Sequence, residues 1–209
     1  GDFRPIADTA NFIIVHPNGT RDNNNNRFWN VGLFQNSNVD DLGFLESLRD
    51  SLVREFMIDT QKVYSTGMSN GGYMSYELAC RSTYFKAVAS VTGSMTTSTL
   101  INCNPAFPVP VMQIHGTNDG TVPYNGNANS LSMDDLVEYW VKHNNCDTNF
   151  TKIDVPNRDP NDGTVTERFI YKNGSDSSSV ELFKVIGGGH TWPGAVAILP
   201  QTSQDFSAS

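Results

Sequence analysis

Short apolar runs alternate with amphipathic stretches along this chain, and this alternation is typical of an α/β fold. The clearest apolar run is residues 12–16 (FIIVH), closed by Pro17-Asn18-Gly19, which predicts a strand buried on both faces. Similar runs predict five more strands, at residues 62–66, 87–91, 109–115, 165–171 and 180–186. The strands are separated by stretches long enough for helices, so we expect a sheet with helices packed against it.

Amphipathic stretches predict three helices. Asp40 and Asp41 open the first, with apolar residues at helical spacing through Phe56 and acids at the N-terminal end, where the helix dipole favours them. Residues 72–81 form the second, and Ser132 caps the third, with Asp135 completing a near capping box. No internal repeat or linker interrupts the pattern, so the 209 residues are expected to form one domain.

Charge narrows the possible partners. The net charge is −8, which argues against nucleic acid and anionic membrane surfaces, because both reward clusters of Lys and Arg. No apolar run approaches the length of a membrane span. Gly1 is not a natural start, so an upstream segment is expected to have been removed or left out.

The three cysteines contain no C-x-x-C pair, so no zinc site is expected. One disulfide and one buried thiol are predicted instead, which favours an oxidising compartment. Cys103 precedes the strand at 109–115, and Cys146 follows the helix that begins at Ser132. Because these two elements should pack together, we predict a Cys103–Cys146 disulfide, with Cys80 buried and free.

Gly67-Met68-Ser69-Asn70-Gly71 fits G-x-S-x-G between a predicted strand and a predicted helix. In that context the serine sits on a sharp turn that exposes its hydroxyl, and Gly67 and Gly71 are expected where strand and helix cross. The backbone N–H of Asn70 is then a candidate oxyanion donor. The alternative is an ordinary glycine-rich turn with Ser69 as a helix cap.

A nucleophilic serine needs a base and an acid that orients it. His190 lies in GGGHTWPG after the last strand, and Asp119 lies in HGTNDGTVPY just after a strand. Ser69, Asp119 and His190 follow the order typical of α/β-hydrolases. Taken alone, Asp119 is equally typical of an Asx-turn, and His190 of a hydrogen-bonded loop histidine.

Other candidates fit less well. His16 and His143 are interpreted as structural or exposed, and His115 is passed over because the loop after it offers Asp119. Asp40 and Asp41, which precede Ser69, are interpreted as helix caps. The triad therefore remains the preferred hypothesis.

Three motifs, VYSTGMSNGGYMSYELAC, VPVMQIHGTNDGTVPYNG and GGGHTWPG, resemble the secreted esterases grouped with polyhydroxybutyrate depolymerases and feruloyl or acetyl-xylan esterases. The resemblance covers most of the chain. It implies an α/β-hydrolase fold, with a mostly parallel central sheet flanked by helices. It also implies ester hydrolysis without a cofactor, with Ser69 as nucleophile, Asp119 as acid and His190 as base.

The chain departs from these esterases at its ends. They carry, upstream of the segment that matches FIIVHP, a strand and a His-Gly loop that supplies a second oxyanion donor. We therefore expect this sequence to be a fragment of a longer chain that lacks its N-terminal strands.

The sequence thus predicts a secreted or periplasmic serine carboxylic ester hydrolase. Its expected substrates are feruloyl, acetyl or hydroxyalkanoate esters of a polymer, such as a plant cell-wall polysaccharide or a polyester. Trp192 and Trp29 are candidates for the substrate pocket, with plain packing as the alternative for each. A serine peptidase of the same fold and a non-catalytic, carbohydrate-binding remnant of an esterase are the competing hypotheses.

Overall fold

A computed structural model describes residues 2–22, 24–33, 38–196 and 199–209. The helices of the described residues are α1 (Arg4–Ala10), α2 (Asp41–Glu55), α3 (Asn70–Arg81), α4 (Thr97–Ile101) and α5 (Met133–His143), with a 3₁₀ turn at Ser175–Ser177. Their strands are β1 (Thr20–Arg21), β2 (Arg27–Phe28), β3 (Tyr64–Met68), β4 (Ala87–Val91), β5 (Val111–Gly116), β6 (Thr151–Asp154), β7 (Val165–Tyr171) and β8 (Val180–Ile186).

Six strands form one sheet in the order β3-β4-β5-β8-β7-β6. Strands β3, β4, β5 and β8 run parallel, while β7 and β6 pair antiparallel at one end. Helices α3 and α5 connect strands and pack on the sheet, so the predicted α/β architecture is confirmed. Because the parallel strands all end at the same edge, the loops that follow β3, β5 and β8 meet there.

The main core lies where α3 and α5 cover the sheet. Tyr76 of α3 and Leu136 and Trp140 of α5 are fully buried, and they pack with Val111 and Val180 of the sheet. Helix α3 is buried along residues 72–80, which fixes the first turn of this helix firmly against the sheet edge.

The predicted helix starts are also seen. Ser132 caps α5, since its hydroxyl accepts the Asp135 N–H at 3.1 Å and donates to the Asp135 carboxylate at 2.6 Å. Asp40 caps α2 by accepting the Gly43 N–H at 2.9 Å. The interpretation of Asp41 as a second cap is wrong, because Asp41 is the first residue of α2 and its carboxylate accepts the Asn30 N–H instead. No helix in the described ranges combines the length and apolar character needed to cross a membrane.

The predicted strand at residues 12–16 is wrong. These residues are not in a strand, and Phe12, Ile13 and Val15 expose 43%, 53% and 41% of their surface. An apolar run becomes a strand buried on both faces only where neighbouring strands pair with it. In the described part of the chain no strand pairs with this run, and β3 has a strand neighbour only on its β4 side.

The predicted disulfide is also wrong. Cys80, near the end of α3, is bonded to Cys103, which follows α4, with the two Cα atoms 4.4 Å apart. The Asn104 N–H donates to the Cys80 carbonyl, which holds the two chain segments together. Cys146 is buried and free, and burial raises the pKa of its thiol. Its side chain faces Gly174 and Ser178, because the end of α5 packs beside the start of β8.

Candidate active site

Ser69 occupies the turn between β3 and α3, with φ 54° and ψ −120°. A residue other than glycine is strained at this positive φ, and such strain is typical of the exposed serine of a nucleophile elbow. The Ser69 N–H donates to the Val91 carbonyl at 2.8 Å, which anchors the turn on the neighbouring strand β4. The surrounding fold therefore holds the serine in a conformation that it would not adopt on its own.

Two glycines make this turn possible. A Cβ added at Gly67 would lie 2.5 Å from the Gly71 carbonyl carbon, so strand and helix cross closely there, as predicted. A Cβ at Gly71 would meet nothing within 4 Å, so the prediction that Gly71 itself needs to be small is wrong. The second tight position is Gly72, where a Cβ would come within 2.5 Å of the Ser90 hydroxyl.

Asp119 lies in the loop after β5 and uses its two carboxylate oxygens differently. Oδ1 accepts the N–H groups of Thr121 and Val122, each at 2.8 Å. Oδ2 accepts from His190 Nδ1, also at 2.8 Å. Both interpretations of Asp119 therefore hold at once: one oxygen shapes the turn, and the other orients a histidine.

Electrostatics keep this carboxylate charged. Burial alone raises the pKa of Asp119, but the hydrogen bonds from His190, Val122 and Thr121 outweigh burial and lower the pKa overall. Since an ionised carboxylate can only accept, His190 carries its proton on Nδ1, and the Nε2 lone pair remains available to accept another proton.

The loop that carries His190 is tied to the Asp119 loop. The Gly188 carbonyl accepts the Asn118 N–H at 2.9 Å, and the Gly187 N–H donates to Thr117 Oγ1 at 2.9 Å. Gly187 has φ 78°, a conformation that favours glycine. These contacts fix the acid and the base relative to each other.

All three members of the predicted triad lie at the carboxyl edge of the sheet, with Ser69 after β3, Asp119 after β5 and His190 after β8. The structure joins the acid and the base directly. Within the described part of the chain, Ser69 Oγ makes no hydrogen bond. Catalytic contacts of this kind often tighten only when substrate is bound.

Asn70 contributes more than its predicted backbone N–H, which lies in the first turn of α3 where no intrahelical acceptor exists. Its side chain pairs with the backbone of Trp29: Oδ1 accepts the Trp29 N–H at 2.6 Å, and Nδ2 donates to the Trp29 carbonyl at 3.0 Å. The Trp29 ring stacks on Phe44, with centroids 6.4 Å apart. The sequence did not predict this role of the Asn70 side chain, which holds Trp29 beside the turn at Ser69.

Trp192 follows His190 by two residues, but its ring contacts other parts of the chain. It packs edge-on against Phe3, with centroids 6.0 Å apart, and its indole N–H donates to Ser209 Oγ at 3.2 Å. These contacts place Trp192 in a small cluster with Val91 and Val185.

His115, to which the sequence assigned no role, lies beside the acid, with Nε2 3.4 Å from Asp119 Oδ2. The signal that could have revealed it is the four-residue spacing of His115 and Asp119 across one tight loop. In the described ranges, no group of three or more His, Cys, Asp or Glu side chains has the arrangement of a metal site.

The parallel sheet, the elbow at Ser69 and the acid–base pair beyond β5 and β8 define an α/β-hydrolase fold. Comparison with known proteins agrees with this class. A sequence model of the prolyl oligopeptidase family matches residues 6–102, a segment that includes the elbow.

The chain also resembles esterases. It is 30% identical to feruloyl esterase C of Emericella nidulans over 136 residues, which are 64% of this chain and 43% of that protein. It is 29% identical to feruloyl esterase D of Neurospora crassa over 188 residues, which are 89% of this chain and 56% of that protein. It is 24% identical to the bifunctional acetylxylan esterase/xylanase XynS20E of Neocallimastix patriciarum over 192 residues, which are 90% of this chain and 26% of that protein. The chain spans about half the length of the first curated relatives it matches.

Proposed function

We propose that this chain is a serine carboxylic ester hydrolase that acts through Ser69, His190 and Asp119. The observation that carries the proposal is the 2.8 Å hydrogen bond between His190 Nδ1 and the buried Asp119 carboxylate, at the same sheet edge as the strained Ser69 turn. The similarity to feruloyl and acetylxylan esterases supports an ester as the substrate.

In this mechanism His190 Nε2 takes the Ser69 proton while Oγ attacks the ester carbonyl carbon. The negative charge on the carbonyl oxygen is received by the Asn70 N–H, a donor worth about 3 kcal/mol of transition-state stabilisation in comparable sites. Collapse of the intermediate breaks the bond to the alcohol, which leaves with the proton held on His190. Water, deprotonated by the same nitrogen, then releases the acid from Ser69.

Feruloyl and acetyl esters of a plant cell-wall polysaccharide are the proposed substrates, and hydroxyalkanoate esters of a polyester are the next candidates. The position of Trp29 supports a substrate with an aromatic acyl group, because Asn70 fixes the Trp29 backbone beside the Ser69 turn, where an aromatic ring can pack on the acyl group. Trp192 is the second proposed pocket residue, from its position after His190. The Cys80–Cys103 disulfide supports a secreted or periplasmic protein.

The proposal is tested by following hydrolysis of methyl ferulate and p-nitrophenyl acetate by the wild type and by Ser69→Ala. Ser51→Ala, on the exposed face of α2, is the matched control. We expect hydrolysis by the wild type and the control, and less than a few per cent of that rate from Ser69→Ala with an unchanged Tm. Substantial activity in Ser69→Ala would reject the nucleophile.

A serine peptidase is the second candidate, because the prolyl oligopeptidase family matches residues 6–102. A peptide anilide separates the two functions, since amide cleavage makes greater demands on leaving-group protonation than ester cleavage does. The esterase proposal predicts turnover of methyl ferulate with no detectable anilide cleavage. Anilide cleavage at a comparable kcat/KM would favour the peptidase.

A further inference from the structure

A chain of buried polar side chains runs from the core to the acid. The Tyr76 hydroxyl donates to Gln113 Oε1 at 2.7 Å, and Gln113 Nε2 lies 2.9 Å from His115 Nδ1. His115 Nε2 then lies 2.8 Å from the Val122 carbonyl and 3.4 Å from Asp119 Oδ2. Tyr76, Gln113 and His115 are completely buried, so each polar atom depends on these partners.

The partners determine where the proton of His115 lies. Gln113 Oε1 accepts from Tyr76, and Gln113 Nε2 donates to the Gly93 carbonyl at 2.9 Å, which fixes the orientation of the amide. The amide N–H therefore points at His115 Nδ1, which accepts. Nε2 faces two oxygen acceptors and carries the proton. His115 is thus a neutral imidazole whose single N–H is donated to the Val122 carbonyl in the acid's loop, with Asp119 Oδ2 3.4 Å from the same nitrogen.

The His115 N–H acts on the turn that holds the Asp119 carboxylate. The Val122 carbonyl accepts from His115, while the Val122 N–H binds Asp119 Oδ1. The imidazole therefore holds Val122, whose N–H binds Oδ1, and its Nε2 also lies 3.4 Å from Oδ2, the oxygen that accepts from His190. We propose, resting on the ester hydrolase function proposed above, that His115 is a positioning residue that holds Asp119 on His190 as a neutral hydrogen-bond donor.

Neutrality matters because a second cation beside Asp119 would compete with the His190 imidazolium for the same negative charge. The charged and titratable groups facing His115 are Asp119, His190 and Tyr124, whose ring is 6.0 Å away, and Lys184 of β8 lies over that tyrosine. Burial lowers the pKa of His115, and the neighbouring His190 lowers it further; together they outweigh Asp119 and the Val122 and Gly93 carbonyls, which raise it.

Three variants test the proposal. His115→Gln can place an uncharged N–H near the position of Nε2, whereas His115→Leu has similar bulk and no donor. Gln113→Glu puts an acceptor at Nδ1, so that both ring nitrogens of His115 face acceptors and the ring becomes doubly protonated. Each variant is measured for kcat and KM across pH on methyl ferulate, with Tm recorded alongside.

We expect His115→Leu to lower kcat by about tenfold to a hundredfold at similar KM, as a displaced catalytic group does. His115→Gln should keep about a third of wild-type kcat or more, and the acidic limb of its pH profile should match that of the wild type. Gln113→Glu should lower kcat about tenfold and move the acidic limb to lower pH, because the His115 cation lies between the introduced carboxylate and Asp119 and therefore acts more strongly on His190 than that carboxylate does. If all three variants kept the wild-type kcat and only their Tm fell, His115 would have a purely structural role and the proposal would be overturned.

A second readout does not depend on activity. Nitrogen-15 spectra of the histidine rings should show His115 protonated on Nε2 alone, and a downfield His190 Nδ1 proton that survives in His115→Gln and weakens in His115→Leu. A charged His115 at neutral pH, or a His190 proton unaffected by His115→Leu, would overturn the positioning role. If Ser69-dependent hydrolysis is absent, the proposed function fails, and these spectra still decide the positioning.

Discussion

The region around the acid and base differs sharply from the first 60 residues. Helix α3 buries nine of its twelve residues, and the Asp119 carboxylate accepts hydrogen bonds from Thr121 and Val122 of its own loop and from His190 of the loop after β8. Helix α1 buries only Ala7, α2 buries only Asp41 and Leu45, and Phe56 and Met57 are exposed. The difference teaches that the candidate active site rests on a scaffold with many buried residues, while the segment that carries Trp29 has few and packs on α3 through a smaller cluster that includes Val31 and Leu45.

Polar contacts join the two regions in addition to this apolar cluster. Asn70 clamps the backbone of Trp29, the buried Asp41 accepts the Asn30 N–H at 2.6 Å, and Glu46 accepts the Ser82 hydroxyl at 2.7 Å. Chemistry and substrate recognition should therefore respond to different substitutions.

The largest effect is expected from substitution of Asp119, the proposed acid of the triad. Asp119→Asn should lower kcat about 10³- to 10⁴-fold, because a neutral amide neither fixes the His190 tautomer nor stabilises its imidazolium. Asp40→Asn is the matched control, since asparagine still caps α2. Steady-state kinetics on p-nitrophenyl acetate measure both variants. If Asp40→Asn were the inactive variant, Asp119 would be the wrong carboxylate.

The packing contrast is tested by truncation. Leu136→Ala, at a fully buried position of α5, should lower the free energy of unfolding by about 2–5 kcal/mol. Phe44→Ala, at a position 45% exposed on α2, should cost less than about 1 kcal/mol. Urea unfolding of both variants gives the comparison. Similar losses would mean that the first 60 residues are as tightly packed as the sheet.

Cutting the link at Asn70 should separate recognition from chemistry. Asn70→Ala keeps the backbone N–H but leaves two polar groups of Trp29 without partners, a cost of about 1–3 kcal/mol. We expect kcat/KM for methyl ferulate to fall more than kcat/KM for p-nitrophenyl acetate, which has a small acyl group. Equal losses on both esters would show that Trp29 does not contact the acyl group.

The smallest expected effect is on the pH dependence of stability, through the titration of Asp41. Burial raises the pKa of Asp41, and Asp40 adds to the rise, although the Asn30 N–H opposes it. A raised folded-state pKa means that the folded chain holds this proton more tightly, so the contribution of Asp41 to stability falls as pH rises from about 4 through that pKa. Asp41→Asn removes the titration. Its stability relative to the wild type should rise between pH 4 and pH 7, by no more than about 1 kcal/mol, whereas a fall would reverse the sign.

The placement of Ser69, Asp119 and His190 at one edge of the sheet could be predicted from sequence, because each belongs to a local motif at the end of a strand. The errors concern contacts between distant segments. The pairing of Cys80 with Cys103 depends on how the end of α3 meets the segment after α4, which no local pattern encodes. Residues 12–16 have the composition of a buried strand but no partner among the described residues, and the Asn70 clamp spans 41 positions. Composition thus predicted elements and motif chemistry, but not long-range pairing.

Covalent labelling by a fluorophosphonate tests most directly whether Ser69 is a nucleophile activated by His190. The reagent forms a bond with a serine only where a base assists its attack, and a mass spectrum of the digest locates the adduct. We expect one adduct per chain on the peptide that contains Ser69, none in Ser69→Ala, and labelling at least about a hundredfold slower in His190→Ala. An adduct on another serine, or a labelling rate unaffected by His190→Ala, would contradict the account.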